Sequence, residues 1–414
     1  MKGVKIAGIG IELPRRSYTN DQVAQMLSEQ KDHIIAELPE GVMLTPERAK
    51  EFETNGPWIE KRVGVKTRPF AESDETTSDL ATKAGHNALD DAYGEAIGKQ
   101  PEFSIVCTVS PDYFTTPPTN IIVSRKMGIS RETYVGDEKK LRRYFSADVT
   151  QACSSFGEGL LLGTALIQAG YAQRGIVHGA DTMSRTMSKN RRSPFVILGD
   201  GAGAIALEAC PETETWIQPQ RVFAGVDGGK DGEYEQAIIN RAGGAHTPIT
   251  PEHLNPLIDA HLMFMNGNFV YKTLVPLVSR RVIPDALDYA GLSLRDIDVL
   301  ILHQANHRMT EAVVARLHKQ CPDCVIWIAN QENVKEILKR IPNEPQDKHH
   351  IICYCTIDHT GNLTSANIPV SLYEAREHGV IVPGKRVQVI VFGGGYSWVS
   401  IIIDWGGAHL FIDR

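Results

Sequence analysis

The stretch from residue 148 to residue 164, DVTQACSSFGEGLLLGT, places Cys153 among small residues directly before a glycine-containing apolar segment. The preceding run YFSADVTQA predicts a strand and a turn, and GEGLLLGTALIQAG predicts a buried helix that ends at Gly170. We therefore expect the thiol at or just before a helix N-terminus, where the helix dipole and free N–H groups favour thiolate. A core cysteine without a chemical role fits this local pattern equally well.

Length and composition describe a globular protein with a large core. The chain has 414 residues, of which 42% are hydrophobic and 22% are charged, so it can form two domains or one duplicated unit. The net charge of −7 argues against nucleic acid or an anionic membrane as a partner of the whole surface. A local basic patch for a phosphate-bearing substrate remains compatible with this total.

Cysteine usage and hydropathy indicate the compartment. The seven cysteines are an odd, unevenly spread set, which fits a reducing cytoplasm better than a disulfide framework. The N-terminal run MKGVKIAGIGIELP has too short an apolar stretch for a signal peptide and predicts a strand and a turn. No apolar run approaches the roughly 20 residues of a membrane span. We therefore expect a cytoplasmic protein.

Strands alternate with helices along the chain, which predicts an α/β architecture. A weak internal duplication accompanies this alternation, because a helix followed by a buried strand in residues 88–112 recurs 198 residues later, in residues 286–307. A loop, a helix, a glycine and a strand likewise occupy residues 153–181 and residues 362–395. Chance similarity between α/β units is the alternative explanation.

The duplication predicts an N-terminal half, residues 1–215, and a C-terminal half, residues 216–414, packed about a pseudo-twofold axis. Three polar or charged segments look like additions to this core, and we expect them at the surface, where they can modify substrate access. They are residues 29–57, 130–145 and 319–350.

Three further motifs contain residues suited to chemistry. In DVLILHQANHRM, an apolar strand ends at His303, and strand ends in open α/β sheets are where catalytic groups collect. In DHTGNLTSANIP, Asn362 stands at the entrance to a helix, in the place that Cys153 occupies in the first half. In VIVFGGGYSW, the glycines around Gly394 allow a backbone N–H to approach a reacting carbonyl. Taken singly, these are equally a structural histidine, a helix cap and a tight turn.

Taken together, these residues resemble the thiolase superfamily, and most closely its β-ketoacyl-acyl-carrier-protein synthase III branch. The resemblance covers most of the chain, and its specificity lies in the order and spacing of motifs that are weak one by one. The motifs are GIGIELP, WIEKRVGVKTR, DVTQACSSF, ILGDGAGAIAL, MNGNFVYK, HQANHRM, HTGN and FGGGYSW.

The resemblance implies a thiolase fold, with two duplicated halves forming an αβαβα layered core. It also implies a decarboxylative Claisen condensation in which Cys153 takes an acyl group from a thioester. His303 and Asn362 would hydrogen-bond the thioester carbonyl of a malonyl group, whose carbanion attacks the acyl-cysteine. The backbone N–H groups of Cys153 and Gly394 would form the oxyanion hole.

The same family binds the phosphopantetheine arm of coenzyme A or acyl carrier protein, so the resemblance implies a substrate carrier and no tightly bound cofactor. Matching positions for this arm and its phosphates are Trp58, Arg62, Arg192 and Asn306, and those for docking an acidic carrier protein are Lys272 and Arg308. Thr116, in the loop YFTTPPTN, matches a position that shapes the partner subunit's acyl pocket in a homodimer. Surface ion pairing is the alternative for each basic residue.

Departures from the family pattern leave the acyl group and the pathway open. The family's Gly-Asn-Thr-Ser run appears here as GNLTSAN, so Asn362 is retained and its support is altered. Thr116 stands where a bulky aromatic residue is frequent, which predicts a longer or branched acyl group. The segment 319–350 adds to this, because the resemblance implies that chains of this length in the branch include secondary-metabolite or polyketide enzymes rather than primary fatty-acid starters.

Two other functions and a zinc site are alternatives to the implied condensation chemistry. An acyltransferase would use the same acyl-Cys153 to form an ester or an amide, and a non-catalytic partner subunit of a heterodimeric synthase would need no intact Cys, His and Asn set. CPDC at 321–324 and CYC at 353–355 could be zinc half-sites, but CYC in an alternating strand is more typical of thiols with no metal role. We predict no metal, since the implied chemistry requires none.

Overall fold

The computed structural model describes residues 1–38, 40–41, 43–94, 100–129, 132–135, 138–255 and 259–407. Within these ranges the strands, in chain order, are β1 Gly3–Glu12, β2 Ser17–Thr19, β3 Thr67–Pro69, β4 Phe103–Cys107, β5 Glu132–Val135, β6 Glu138–Leu141, β7 Phe145–Val149, β8 Arg174–Asp181, β9 Gly201–Cys210, β10 Ile217–Val226, β11 Ile238–Ile239, β12 Phe264–Met265, β13 Val299–Leu302, β14 Cys324–Ala329, β15 His349–Tyr354, β16 Arg386–Gly393 and β17 Ser397–Asp404. The α-helices are α1 Asn20–Glu37, α2 Pro46–Lys50, α3 Gly56–Val63, α4 Thr77–Tyr93, α5 Thr119–Lys126, α6 Ser155–Gln168, α7 Arg192–Phe195, α8 Gly267–Leu277, α9 Ile283–Tyr289, α10 His307–Gln320, α11 Val334–Arg340, α12 Ile357–Thr360 and α13 Asn367–Glu377.

Two mixed sheets form the centre of the molecule. The first has the strand order β1-β9-β8-β4-β7 and lies within residues 3–210, and the second has the order β10-β17-β16-β13-β15-β14 and lies within residues 217–404. In the first sheet β7, β4 and β8 run parallel, and β9 is antiparallel to β8 and β1. In the second, β14, β15, β13 and β16 run parallel, and β17 is antiparallel to β16 and β10. The predicted α/β alternation is confirmed.

Helices α6 and α13 lie between the two sheets. Helix α6 contacts strands of both sheets, and α13 contacts β1, β8 and β9 of the first and β13 of the second. Helix α4 covers the outer face of the first sheet, and α8, α9 and α10 lie on the outer side of the second. The order of layers is therefore helix, sheet, helix, sheet, helix, as the resemblance implied. The apolar residues of the inner sheet faces and of the central helices share one buried cluster.

Glycines allow the backbone of helix α6 to approach each sheet closely. A Cβ atom on Gly157 would lie 2.4 Å from a methyl carbon of Val391 in the second sheet. A Cβ atom on Gly159 would lie 2.2 Å from the sulfur of Cys107 in the first sheet. Because real Cβ atoms do not approach other atoms this closely, both contacts require glycine.

The three segments predicted as surface additions differ in structure. Residues 29–57 form the end of α1, helix α2 and the approach to α3, and they are anchored by the buried side chains of Ile34 and Phe52. Within residues 130–145, β5 and β6 form a separate hairpin, whereas Phe145 already belongs to β7 of the first sheet; positions 130, 131, 136 and 137 lie outside the described residues.

The segment 319–350 was expected at the surface, and this expectation was wrong for its central part. Residues Cys324–Ala329 form β14, the edge strand of the second sheet, and pair in register with β15. The strand was missed because its apolar run is short and lies between polar and charged sequences. The end of α10, helix α11 and the loops around α11 remain outside the sheet.

Among the helices that the structure describes, none combines the length and the apolar character needed to cross a membrane.

Candidate active site

Cys153 lies on a tight turn between β7 and α6, in agreement with the predicted strand, turn and helix. Ala152, which precedes it, has a φ of 48°, in the left-handed region that costs a residue with a side chain roughly 1–2 kcal/mol. Ser155 holds the turn, because its hydroxyl donates to Ala152 O at 2.6 Å and accepts from Gln151 N at 2.7 Å. The Ser154 hydroxyl contacts the Ser397 hydroxyl of the second sheet at 2.7 Å.

The thiol of Cys153 is held in its protonated form. The residue is partly exposed, yet burial of the thiol, with a further contribution from the Asp181 carboxylate, raises its pKa to about 12. The predicted position before a helix N-terminus is therefore confirmed, whereas the predicted thiolate is not. Desolvation by burial outweighs the effect of the helix end, and the sequence around Cys153 carries no sign of it.

His303 lies at the end of β13, as predicted, and is 3% exposed. Its backbone N–H donates to Ile390 O at 2.8 Å, and its ring packs edge-on against Phe392 with centroids 5.2 Å apart. Burial lowers the pKa of the imidazole to about 3, so the ring is neutral at physiological pH. A neutral imidazole has one N–H donor and one acceptor nitrogen.

Strand β16 connects His303 to Cys153. Phe392, beside the His303 ring, is followed by Gly393, where an added Cβ atom would lie 2.7 Å from the backbone nitrogen of Cys153. The glycine that packs against the turn at Cys153 is thus Gly393, and the predicted oxyanion-hole residue Gly394 follows it. At Gly394, a Cβ atom would instead lie 3.2 Å from Ile238. Its predicted role stays a prediction.

Asn362 lies on the turn before α13, the place that corresponds to Cys153 in the first half. Its backbone pairs with the segment before β9, since Asn362 N donates to Ile197 O at 2.9 Å and Asn362 O accepts from Gly199 N at 3.0 Å. Its side-chain oxygen accepts from Thr364 N at 2.8 Å. Thr364 has a φ of 50°, so this turn, like the first, contains a left-handed residue other than glycine.

Asn367, the first residue of α13, joins His303 to Asn362. It is fully buried, and its side-chain nitrogen Nδ2 donates to His303 Nδ1 at 3.1 Å and to Asn362 Oδ1 at 2.8 Å. Its oxygen accepts from Leu363 N at 3.1 Å. The sequence analysis did not single out this residue. Its place in the altered run GNLTSAN was the available signal.

Asp181, at the end of β8, joins the two halves of the site. One carboxylate oxygen accepts from Val109 N at 2.7 Å and from the Ser110 hydroxyl at 2.8 Å, in the first half. The other accepts from Ser365 N at 3.0 Å and from the Thr364 hydroxyl, in the second half. The carboxylate also acts electrostatically on Cys153. Sequence analysis missed this residue too, because its partners lie between 71 and 184 positions away.

A cleft near α3 brings together two of the residues predicted to bind the carrier arm. Asn55 caps α3 by accepting from Trp58 N at 2.9 Å, and Trp58 lies one turn into the helix. The guanidinium of Arg192 stacks on the Trp58 ring at 4.3 Å from its centroid. The cleft has a volume of about 550 Å³ and also includes Lys50 and Glu53, which belong to the predicted segment 29–57.

The other predicted carrier residues surround the same helix. Arg62 on α3 donates to Asn268 Oδ1 at 2.8 Å, and Asn268 belongs to α8, whose exposed face carries Lys272. Arg308 donates to the backbone oxygen of Lys61 at 3.0 Å. Helix α3 therefore contacts both α8 and α10.

Two predicted residues remain to be placed. Asn306 caps α10, where its side chain accepts from Arg308 N at 2.8 Å. Thr116 is exposed in a loop with two apolar neighbours, Tyr113 at 57% and Phe114 at 73% exposure. An aromatic residue exposed to this degree is typical of a surface that a partner covers.

Two family models match the chain. The model of 3-oxoacyl-[acyl-carrier-protein (ACP)] synthase III matches residues 147–223, and the model of its C-terminal part matches residues 323–405. The β-ketoacyl-[acyl-carrier-protein] synthase III of Paracoccus denitrificans is 32% identical over 368 residues, which are 89% of this chain and 96% of the relative. The chain belongs to the β-ketoacyl-[acyl-carrier-protein] synthase III family.

Other members of the synthase III family agree in length and fold. The relative from Campylobacter curvus is 29% identical over 387 residues, which are 93% of this chain and 99% of the relative. The crystal structure of the synthase III from Pseudomonas aeruginosa matches with a TM-score of 0.69 at 25% identity and covers 97% of this chain and 98% of that one. The fold is thus thiolase-like, and the protein is a synthase III-type condensing enzyme, an acyltransferase.

The synthase III C-terminal model covers most of the segment 319–350, including β14. This segment contains Cys321 and Cys324, whose sulfurs are 2.7 Å apart. Cys353 pairs in register with Ile328, four positions along β14 from Cys324, or about 13 Å at the rise of a strand. The two cysteine pairs are therefore too far apart for one zinc ion. Among the described residues, no group of three or more His, Cys, Asp or Glu side chains has the geometry of a metal site.

Proposed function

We propose that Cys153 is the acyl-accepting nucleophile and that His303 and Asn362 are the donors that bind the malonyl thioester oxygen. The observation that carries this proposal is the hydrogen-bonded series His303–Asn367–Asn362. Since His303 Nδ1 and Asn362 Oδ1 both accept from Asn367, the proton of the neutral imidazole is on Nε2, and the Asn362 donor Nδ2 faces away from Asn367. Two N–H donors are then available for one developing oxyanion.

In the first step, the sulfur of Cys153 attacks the carbonyl carbon of an acyl thioester. The bond from this carbon to the carrier sulfur breaks, and the proton of the Cys153 thiol ends on the departing carrier thiol. The backbone N–H groups of Cys153 and Gly394 would bind the tetrahedral oxyanion. Because the pKa of the thiol is raised by burial, acylation should accelerate as pH rises above neutrality.

In the second step, a malonyl thioester replaces the carrier and loses carbon dioxide. Negative charge moves to the thioester oxygen, where His303 and Asn362 donate hydrogen bonds more strongly to the enolate than to the ground state. The carbanion attacks the acyl carbon, a carbon–carbon bond forms, and the bond to the Cys153 sulfur breaks. The products are a β-ketoacyl thioester, carbon dioxide and the thiol, which takes up a proton.

We propose coenzyme A or the phosphopantetheine of acyl carrier protein as the carrier of these acyl groups. Trp58 would stack on an adenine, with Arg62 and Arg192 near the phosphates, since a cation and an aromatic ring in one cleft suit an adenine and its phosphates. Asn306 would also contribute to binding the carrier. Lys272 and Arg308 would dock an acidic carrier protein.

We also propose that each chain consists of two duplicated halves, residues 1–215 and 216–414. Two such chains would form a cytoplasmic homodimer. Thr116 would reach the acyl pocket of the partner subunit. The exposed Tyr113 and Phe114 support this interface. Fatty-acid and polyketide synthesis are both compatible with these residues.

Intact-protein mass spectrometry with a panel of acyl thioesters tests the proposal. The wild-type chain should gain the mass of one acyl group, and the Cys153→Ala variant should gain none. Adding a malonyl thioester should discharge the acyl group as a β-ketoacyl product with release of carbon dioxide. Acylation of Cys153→Ala at the wild-type stoichiometry would refute the assignment.

The second candidate is acyl transfer to an alcohol or an amine. It would be favoured if acyl-Cys153 formed but was never discharged by a malonyl thioester, with carbon dioxide at background. The retained Asn362 favours condensation, because simple acyl transfer has no decarboxylating partner to bind.

A further inference from the structure

Both amide N–H groups and the oxygen of the Asn367 side chain are hydrogen-bonded. The two N–H groups bond to His303 and Asn362, the two residues proposed to donate to the substrate. Its two N–H groups are used by His303 Nδ1 and Asn362 Oδ1, and its oxygen is used by Leu363 N. At 0% exposure, no water competes for these groups. An asparagine is suited to this place because one amide nitrogen carries two donors at a fixed angle.

These hydrogen bonds fix the amide orientation of Asn362 and the tautomer of His303. Asn362 Oδ1 accepts from Asn367 Nδ2 and from Thr364 N, so a flip of its amide would bring two N–H donors against its own nitrogen. His303 Nδ1 accepts from Asn367, so it cannot carry the proton of the neutral ring. In the described part of the chain, His303 Nε2 and Asn362 Nδ2 have no protein hydrogen-bond partner.

We propose that Asn367 is a positioning residue for the condensation half-reaction: it selects the Nε2–H tautomer of His303 and the amide orientation of Asn362. This inference rests on the proposed roles of His303 and Asn362. One side chain thereby sets the direction of both donors, and its hydrogen bonds go to His303, Asn362 and Leu363 rather than to Cys153. Losing it should affect the decarboxylating step and leave the acylation of Cys153 unchanged.

Asn367→Asp is the sharpest variant, because it conserves shape and replaces the two donors by acceptors. A carboxylate beside His303 Nδ1 requires a proton on that nitrogen, and a carboxylate beside Asn362 Oδ1 forces the amide to flip. We expect malonyl decarboxylation and condensation to fall by about 100-fold or more, through kcat rather than KM. Acylation of Cys153, followed by intact mass, should proceed at the wild-type rate.

A direct measurement of the tautomer does not depend on the variant's activity. In the wild-type chain labelled with nitrogen-15 histidine, the His303 resonances, identified among the 14 histidines by their absence in His303→Gln, should show an unprotonated Nδ1 and a protonated Nε2. In Asn367→Asp, Nδ1 should become protonated. A protonated Nδ1 in the wild-type chain would overturn the inference, even if the variant failed to fold.

The matched control is Asn20→Asp, another buried asparagine, whose amide donates to Val65 O at 2.7 Å. It should leave the His303 tautomer and the condensation rate unchanged. A folded Asn367→Asp that condenses at the wild-type rate would refute the positioning role while leaving the proposed function intact. Conversely, the predicted tautomer change in a chain that never acylates Cys153 would support the selection of the tautomer by Asn367, but it would remove the proposed function and with it the role of Asn367 in condensation.

Discussion

The turn before α6 and the turn before α13 occupy corresponding places in the two halves, and they hold their functional residues differently. In the first, Ser154 and Ser155 fix the backbone, and the thiol itself has no side-chain hydrogen-bond partner among the described residues. In the second, the side chain of Asn362 is bonded to Asn367 and to Thr364 N. In the proposed mechanism, the first turn positions a group that forms and breaks bonds, and the second fixes a group that keeps one direction.

Because of this difference, substitutions at the two turns should affect different steps of the reaction. Changes at the second turn should reduce one half-reaction or the stability of the chain. Changes at the first should alter the acylation of Cys153 without affecting the donor pair. Asp181, bonded to the second turn and acting electrostatically on the thiol, is the point at which both effects should appear together.

The largest effect is expected from Asn362→Ala at the second turn. Loss of one preorganised donor to the enolate oxygen should slow decarboxylation about 100- to 1,000-fold. Acylation of Cys153 serves as the internal control, since it should be unchanged in the same sample. Rapid-quench assays of carbon dioxide release and of acyl-enzyme mass measure the two steps. Equal losses in both would contradict the separation of roles between the turns.

Asp181→Asn should affect both turns at once. It removes the charge that accepts hydrogen bonds from both halves, at a cost of about 3 kcal/mol in the free energy of unfolding, measured by denaturant titration. Because Asp181 raises the pKa of Cys153, the variant should also shift the pH profile of iodoacetamide alkylation to lower pH.

Asp200→Asn is the control for Asp181→Asn. Asp200 is also fully buried and accepts from Ala71 N and Ser184 N, and burial raises its pKa to about 6. Its replacement should destabilise the fold and leave the alkylation profile of Cys153 in place. A profile shift of the same size in both variants would show that the effect is not specific to Asp181.

The second turn should also be sensitive to pH. His359, just before it, lies between Asp358 at 3.0 Å and Glu374 of α13 at 2.9 Å; burial opposes its charge, yet these two carboxylates raise its pKa to about 9. A raised pKa contributes stability that is fully present below the unfolded value near 6.5 and is lost as pH rises through 9. We expect a loss of about 3 kcal/mol over this range.

Urea unfolding at several pH values measures this loss. The variant His359→Gln should remove this part of the pH dependence, whereas His33→Gln, at an exposed ion pair with Glu37 on α1, should retain it. A pH dependence that persists unchanged in His359→Gln would assign it to other groups.

The smallest effect is expected at the first turn. Ser155→Ala leaves Gln151 N without its acceptor and should cost about 1 kcal/mol in stability, with slower acylation of Cys153 and unchanged decarboxylation. Thr164→Val on the same helix is the matched control. The buried Thr164 hydroxyl has no hydrogen-bond partner among the described residues, so its removal should be nearly neutral. A slower decarboxylation in Ser155→Ala would contradict the assignment of acylation to the first turn and decarboxylation to the second.

Much of this arrangement could be predicted from the sequence, because it depends on local patterns. The helix ends at Tyr93 and Tyr289, the strands that follow them and the turns at Cys153 and Asn362 all carry periodicity or glycine signals. The family resemblance supplied the connection of His303 to these turns. The residues that join the motifs escaped prediction because their contacts are tertiary: Asp181 bonds to both halves, and Asn367 bonds to His303, which lies 64 positions away in the sequence. The pKa of Cys153 escaped for the same reason, because desolvation depends on packing.

The glycines of α6 have a consequence for the distance between the two sheets. Gly157 faces the second sheet and Gly159 faces the first, so the helix has almost no side-chain thickness on either side at these levels. Cys153 lies just before this helix, and His303 lies on the sheet that Gly157 touches. A methyl group added at position 157 would therefore push the helix and the second sheet apart. It would move the sulfur of Cys153 away from the imidazole of His303 without changing either residue.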